Sequence, residues 1–216
     1  MTIGAILSDL DGTLVDSTTA VLRVWHGWMD DRDLPRTRPE EHPHGIPARE
    51  VVALLAPHLD PDREAEDLER REIADLDGVV ALPGARELLG AAGGPPPTGL
   101  PPVAVVTSCT RALALARLAA AGLRVPDVLV TAERTDRVKP HPDPYLLGAR
   151  ELGVAAEACV VLEDAPAGIA AGAAAGMRVV AVGGGHVDRA ALAAAHEVVD
   201  DVAAFLASRR RAPSGP

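Results

Sequence analysis

The chain has 216 residues, a formal net charge of −10 and a 48% hydrophobic composition, which suits one globular unit with a full core. The acidic balance argues against nucleic acid as a partner, because phosphate backbones are bound by clustered lysine and arginine. No segment has the apolar length that a membrane span requires, and two cysteines are too few for a disulfide framework, so we expect a cytoplasmic protein without a membrane partner.

The first predicted element is IGAILSDL (residues 3–10), a short apolar run of the kind that forms a buried strand. Four similar runs follow later: PVAVVTS, DVLVT, ACVVLED and RVVAVG. Helical patterns separate them, and residues 195–210 suggest a short strand and a closing helix. Strands that alternate with helices predict an α/β fold, a Rossmann-like parallel sheet with helices on both faces.

Residues 15–82 interrupt this alternation. They contain three amphipathic patterns, at residues 18–31, 47–59 and 62–76, and no convincing buried strand. The α/β pattern then resumes near LPGARELL, and residues 93–102 are rich in proline and glycine, which indicates an irregular loop. We therefore predict an α/β catalytic core of residues 1–14 and 83–216, with an inserted all-helical cap of residues 15–82.

Polar residues follow the predicted strands at their carboxyl ends, where open parallel sheets bind ligands. They are Asp9 and Asp11, Thr107 and Ser108, and Glu163 and Asp164, with Lys139 in a neighbouring loop. Carboxylates this close together repel one another, and a hard cation removes the repulsion. Mg²⁺ prefers oxygen ligands and is often shared with a substrate phosphate, so the pattern predicts a Mg²⁺ and phosphate site at this edge.

The ordered motifs resemble those of the haloacid-dehalogenase-like hydrolase superfamily. They are DLDGT (residues 9–13), VVTS (105–108), KPHPDPY (139–145) and EDAPAGIAAGAAAGM (163–177). The last one is similar to the phosphosugar phosphatase and phosphomutase branch. HGIPAREVV (44–52) resembles the cap segment of sugar-phosphate phosphatases, so the likeness covers nearly the whole chain.

The resemblance implies a role for each catalytic residue. Asp9 would be the nucleophile that forms an aspartyl-phosphate, and Asp11 would protonate the leaving group and then deprotonate water. Thr107 would donate its hydroxyl to the phosphate, with the backbone amide of Ser108 beside it. Lys139 would neutralise phosphate charge and hold Asp9.

The resemblance also implies a metal site and a substrate site. Mg²⁺ would be bound by Asp9, Asp164 and the carbonyl of Asp11, with Glu163 adjacent or acting through a water. We expect specificity to lie in the insert and in neighbouring loops, where Ser108, Arg111, His44 and Arg49 are the candidate substrate-binding residues.

Two positions depart from the family pattern, and one residue is unusual in composition. Ser8 stands where the family usually has a bulky aromatic residue, and Val138 stands where a glycine usually precedes the lysine. Because a non-glycine residue resists positive φ, the loop that carries Lys139 could follow a different path. Lys139 is the single lysine among 21 cationic residues, which suggests that this position requires lysine.

The predicted function is a Mg²⁺-dependent phosphatase for a small phosphorylated metabolite, a sugar or polyol phosphate, acting as a monomer or weak dimer. The alternative is a phosphosugar mutase that uses the same Asp9. A catalytically silent phosphate-binding module is a third reading, against which the intact Asp9, Asp11, Thr107, Lys139 and Asp164 argue.

Overall fold

The computed structural model describes residues 3–36, 47–183 and 192–210. Its strands in chain order are β1 (Ala5–Ser8), β2 (Val15–Asp16), β3 (Val80–Ala81), β4 (Val103–Val106), β5 (Val128–Val130), β6 (Cys159–Glu163), β7 (Arg178–Val182) and β8 (Glu197–Val199). Six of these strands form one parallel sheet in the order β5-β4-β1-β6-β7-β8. The predicted parallel α/β architecture is therefore confirmed.

Helices cover both faces of this sheet, as predicted, whereas the first three helices along the chain form a separate cluster. In chain order, the helices are α1 (Thr18–Asp30), α2 (Ala48–Leu55), α3 (Pro61–Ala74), α4 (Ala85–Leu89), α5 (Arg111–Ala120), α6 (Asp143–Leu152), α7 (Pro166–Ala174) and α8 (Val202–Arg210). Successive side chains of a strand point to opposite faces, and β1 shows the result. Ile6 packs in the cluster that includes residues of α4, α5 and α8, whereas Leu7 packs in the cluster that includes residues of α6 and α7.

The helices α1, α2 and α3 lie where three amphipathic patterns were predicted, and they share a separate apolar cluster. Trp28, Val52 and Leu68 are buried in this cluster, one from each helix. The ring of Trp25 packs edge-to-face on that of Trp28, with centroids 5.8 Å apart. The division of the chain into core and cap at residues 14 and 83 stays a prediction.

The sequence predicted no buried strand in this insert, and this prediction is wrong at one position, Val15. Val15 is fully buried and pairs with Ala81 in the antiparallel ladder of β2 and β3. Each strand has two residues, which is too short for an alternating pattern to show in the sequence. Because β2 precedes α1 and β3 follows α3, the ladder joins the two chain segments that flank the helices.

The sheet order brings three strand ends together. β1 lies between β4 and β6, with Ser8 in register with Val105 on one side and Leu162 on the other. The residues that follow these strands therefore meet at one edge. Within the described ranges, none of the helices combines the length and the apolar composition that crossing a bilayer demands.

Candidate active site

Three buried carboxylates meet at the carboxyl edge of the sheet. Asp9, Glu163 and Asp164 each offer an oxygen atom, and these atoms all lie within 4.8 Å of one another. Asp9 follows β1, whereas Glu163 ends β6 and Asp164 follows it, so the pairing of β1 with β6 places the three side by side. The sequence predicted this grouping because carboxyl ends of parallel strands share one edge.

Lys139 links two of these carboxylates, Asp9 and Glu163. Its Nζ donates to Asp9 Oδ1 at 2.6 Å, to Glu163 Oε1 at 2.7 Å and to the carbonyl oxygen of Val106 at 2.9 Å. An ammonium has three donors, and each has an acceptor here. Burial alone would lower the pKa of Lys139, but the carboxylates of Asp9 and Glu163 hold that pKa well above its usual range. Lys139 is therefore charged at neutral pH.

One ammonium does not balance three carboxylates in a buried site. Burial raises the pKa of Asp9 to about 7; Lys139 opposes this shift, and repulsion from Glu163 adds to it. Burial also raises the pKa of Asp164, and repulsion from Glu163 and Asp9 adds to the rise. In both cases burial is the main cause, and the attraction of Lys139 opposes the rise without cancelling it. Three buried carboxylates with one ammonium form a cluster of hard oxygen donors, which fits a hard cation.

The loop that follows β1 fixes Asp164. Thr13 donates its hydroxyl to Asp164 Oδ1 at 3.2 Å. Gly12 has φ +85°, and a Cβ atom at this position would lie 2.0 Å from Asp164 Oδ2. Position 12 therefore requires glycine for two reasons: the backbone is left-handed there, and the Asp164 carboxylate occupies the space that a Cβ atom would need.

Glu163 is held by protein donors on both of its oxygens. Oε1 accepts from Lys139 and from the hydroxyl of Tyr145 at 3.0 Å, and Oε2 accepts from the backbone N–H of Ala165 at 3.0 Å. A Cβ atom on Gly168 of α7 would lie 1.6 Å from Oε1. Glu163 thus orients Lys139, a contact that the sequence analysis did not predict. Tyr145 was missed too, although it is the single tyrosine of the chain and ends the KPHPDPY motif.

Asp11 is bound on both carboxylate oxygens. Oδ1 accepts from the hydroxyl of Ser17 at 2.7 Å, and Oδ2 is 2.7 Å from the Arg117 guanidinium and 3.1 Å from the Cys109 thiol. Arg117 also donates to Glu72 on α3 at 2.7 Å. Burial alone would lower the pKa of Arg117, but the carboxylate of Asp11 raises it above its usual range.

Arg117 was missed in the sequence, although a signal existed. The buried face of α5 includes Leu113, Ala114 and Leu118, spaced as on one helical face. Arg117 lies on that same face, where an apolar residue is the ordinary choice. A charged residue inside an apolar stripe indicates a partner from another part of the chain, since lone charges are rarely buried.

The other predicted site residues lie in different environments. Thr107 is buried after β4, where its hydroxyl oxygen accepts from the Cys109 N–H at 3.1 Å, and Ser108 beside it is half-buried. Arg111 is exposed at the start of α5. Arg49 is also exposed and pairs with Asp62 of α3 at 3.2 Å. His44 lies outside the described residues, and the substrate-binding roles of these residues stay predictions.

The two departures from the family pattern are accommodated. Ser8 is buried, and its hydroxyl donates to the carbonyl oxygen of Asp9 at 2.8 Å. In the part of the chain that the structure describes, Asp33 is the non-glycine residue with positive φ. Val138 therefore does not need the conformational freedom of glycine, and Lys139 reaches Asp9 with valine before it.

Comparisons with known proteins agree with this geometry. The family model described as haloacid dehalogenase-like hydrolase matches residues 3–176. Hexitol phosphatase A of Escherichia coli strain K12 is 45% identical over 182 residues, which are 82% of this chain and 81% of that protein. Glycerol-1-phosphate phosphohydrolase 2 of Saccharomyces cerevisiae is 33% identical and covers 83% of this chain and 74% of its own length.

A solved structure has the same fold. The crystal structure of a hydrolase from Pseudomonas syringae superposes with a TM-score of 0.80 at 25% identity, covering 97% of this chain and 99% of that one. The likeness thus extends through the insert as well as the sheet. Since the family model spans most of the chain and the strand-end residues of its motifs converge in one buried site, the predicted resemblance is confirmed: the protein belongs to the haloacid dehalogenase-like hydrolase family.

Proposed function

We propose that the protein is a phosphatase that hydrolyses the phosphate monoester of a small sugar or polyol. The observation that carries this proposal is the buried contact of 2.6 Å between Lys139 and Asp9, inside a group of carboxylates at the sheet edge. Such a site combines a nucleophile with charge stabilisation. The names of two relatives, a hexitol phosphatase and a glycerol-1-phosphate phosphohydrolase, support a polyol phosphate as substrate.

In the first half of the reaction, Asp9 attacks the phosphorus atom. A bond forms between an Asp9 carboxylate oxygen and phosphorus while the bond from phosphorus to the ester oxygen breaks, which leaves an aspartyl-phosphate. The departing alkoxide takes a proton from the carboxyl group of Asp11, which has to leave its contacts with Ser17 and Arg117 to carry this proton to the leaving oxygen. Lys139 would offset the negative charge on the transferring group, since its ammonium already lies against Asp9.

In the second half, water attacks the aspartyl-phosphate. The carboxylate of Asp11, now deprotonated, accepts a proton from that water, and the bond between Asp9 and phosphorus breaks to release inorganic phosphate. Asp11 thereby regains the proton that it lost in the first half. Each group returns to its starting state, so one site completes the hydrolysis.

We propose that this site holds Mg²⁺. The carboxylates of Asp9 and Asp164 and the carbonyl oxygen of Asp11 would be its ligands, while Glu163 stays engaged with Lys139 or acts through a water. When bound, the ion supplies positive charge next to the phosphoryl oxygens. The oxygen atoms of Asp9, Glu163 and Asp164, which lie within 4.8 Å of one another in a buried site, support this assignment, because a single ammonium faces three carboxylates there.

The mutase alternative would use the same Asp9 but return the phosphoryl group to the sugar. We favour hydrolysis because the relatives at 45% and 33% identity are named for phosphate release. A silent binding module does not need the contacts that hold Lys139 between Asp9 and Glu163. The cytoplasmic location and the monomeric or weakly dimeric state stay predictions.

The test is a screen for inorganic phosphate released from hexitol phosphates, glycerol 1-phosphate and sugar phosphates, with Mg²⁺ and with excess EDTA. We expect Mg²⁺-dependent release from at least one of them, and none from the Asp9→Asn variant. A thermal melt gives a second readout, since a bound ion stabilises the native state: Mg²⁺ should raise Tm of the wild type and not of Asp164→Ala. A sugar phosphate isomer without phosphate release would show a mutase instead.

A further inference from the structure

Tyr145 contacts both members of the buried pair formed by Lys139 and Glu163. It lies on α6, is fully buried, and packs in the apolar cluster that includes residues of α6 and α7. Its hydroxyl donates to Glu163 Oε1 at 3.0 Å. The Nζ atom of Lys139 lies 5.1 Å from the centroid of the Tyr145 ring, within the distance at which a cation is attracted to an aromatic face. One core side chain therefore touches both the carboxylate and the ammonium.

Packing alone does not account for the hydroxyl group of Tyr145. The surrounding cluster is apolar, and phenylalanine would fill nearly the same space without a polar atom. A buried hydroxyl costs free energy unless it has a hydrogen-bond partner, so tyrosine suits this position because Glu163 accepts from it. The chain contains one tyrosine, and its hydroxyl is directed at the carboxylate that binds Lys139.

The carboxylate of Glu163 is held in one orientation by its surroundings. Oε2 accepts from the backbone N–H of Ala165 at 3.0 Å, and a Cβ atom on Gly168 would lie 1.6 Å from Oε1. Oε1 accepts from both Lys139 and Tyr145. The Tyr145 hydroxyl is the contact that one substitution removes while the aromatic ring, the backbone and the ammonium are all retained.

Two carboxylates compete for the ammonium of Lys139. Its Nζ lies 2.6 Å from Asp9 Oδ1 and 2.7 Å from Glu163 Oε1. A donor on Glu163 Oε1 disperses part of the negative charge of that oxygen, and hydrogen bonds in such a network polarise one another. Without the Tyr145 hydroxyl, Glu163 Oε1 would attract the ammonium more strongly and draw it away from Asp9.

We propose that Tyr145 is a positioning residue for Lys139 and acts through Glu163. Its hydroxyl fixes Glu163 Oε1 and weakens the competition from this oxygen, so that the ammonium stays against Asp9. The inference rests on the proposed function, in which Lys139 offsets the negative charge on the transferring group beside Asp9. Charge of this kind acts through preorganisation, and small misplacements are costly.

The test follows Lys139 directly. Because the chain has a single lysine, protein labelled with ¹⁵N at lysine Nζ gives one side-chain NMR signal. The signal is recorded in EDTA, so that it depends neither on turnover nor on a bound ion. Tyr145→Phe keeps the ring and removes the hydroxyl. We expect it to shift the Lys139 signal and to lower kcat on p-nitrophenyl phosphate, measured with Mg²⁺, by about 10-fold.

The matched control is Thr131→Val. Thr131 is also buried, and its hydroxyl forms a hydrogen bond with the carboxylate of Glu133 after β5. The substitution therefore removes a buried hydroxyl beside a carboxylate without touching Lys139 or Glu163. It should leave the Lys139 signal unchanged even where it lowers Tm, and a purely structural role of Tyr145 would give the same result.

An unchanged Lys139 signal in Tyr145→Phe would overturn the inference, and so would a shifted signal with an unchanged kcat. If Tyr145→Phe does not fold, Glu163→Gln decides. In protein labelled with ¹³C at tyrosine Cζ, which also gives one signal, this variant should shift both the Tyr145 and the Lys139 signals, and an unchanged signal of either residue refutes the inference. Failure of the proposed function looks different, because the wild type would then release no phosphate while both signals still respond.

Discussion

Lys139→Arg keeps the positive charge but replaces a compact ammonium with a planar guanidinium. We expect this variant to lose most of its activity. The ammonium converges on three acceptors at 2.6, 2.7 and 2.9 Å: Asp9, Glu163 and the carbonyl of Val106. These acceptors surround one nitrogen atom. A guanidinium spreads its donors over a plane, so it can satisfy two of the acceptors only by leaving the third.

The expected decreases in Tm and kcat of Lys139→Arg follow from the burial of this site. Lys139 is 4% exposed, and inserting a larger group into such packing costs about 1–3 kcal/mol. For a chain of this length, each kcal/mol corresponds to roughly 2–4 °C in Tm. Removing one hydrogen-bond donor that stabilises the charge developing in the transition state lowers kcat by about 10²–10³-fold. We therefore expect a modest decrease in Tm together with at least a ~10²-fold decrease in kcat.

The assay compares kcat, KM and Tm for wild type, Lys139→Arg and Lys139→Ala on one substrate. Lys139→Ala leaves the buried carboxylates of Asp9 and Glu163 without their cation, which costs about 3–5 kcal/mol when one partner is removed from a buried pair. It should therefore melt below Lys139→Arg. Turnover near that of the wild type in Lys139→Arg would refute the reasoning, since charge alone would then be sufficient.

Three further outcomes are expected. Asp9→Asn should fold and lose at least ~10³-fold in kcat, because an amide is a poor nucleophile; steady-state phosphate release near the wild-type rate would contradict this. Gly12→Ala should lose Mg²⁺-dependent activity because its Cβ displaces Asp164, whereas Gly78→Ala, with φ +82° but open space around it, should only lower Tm. Arg49→Ala should impair the preferred substrate and spare p-nitrophenyl phosphate; equal losses on both would exclude a specificity role.

The sequence by itself determined the fold class and most of the site. Short apolar runs bounded by polar residues identify buried strands, because a strand covered on both faces needs apolar side chains on both. Once the strands are parallel, their carboxyl ends share one edge, and the positions of Asp9, Thr107 and Asp164 follow. Lys139 was distinguished by composition and motif before its three contacts were known.

Only the tertiary structure decided how these side chains are held. Arg117 and Glu72 are 45 residues apart, and their contact depends on how α3 packs on α5. A periodic pattern reports which face of a helix is buried, but it does not report what lies opposite that face. The orientation of Glu163 toward Lys139 is likewise a property of packing, because its oxygens accept from Lys139 and Tyr145, which are 24 and 18 residues away, as well as from the nearby N–H of Ala165.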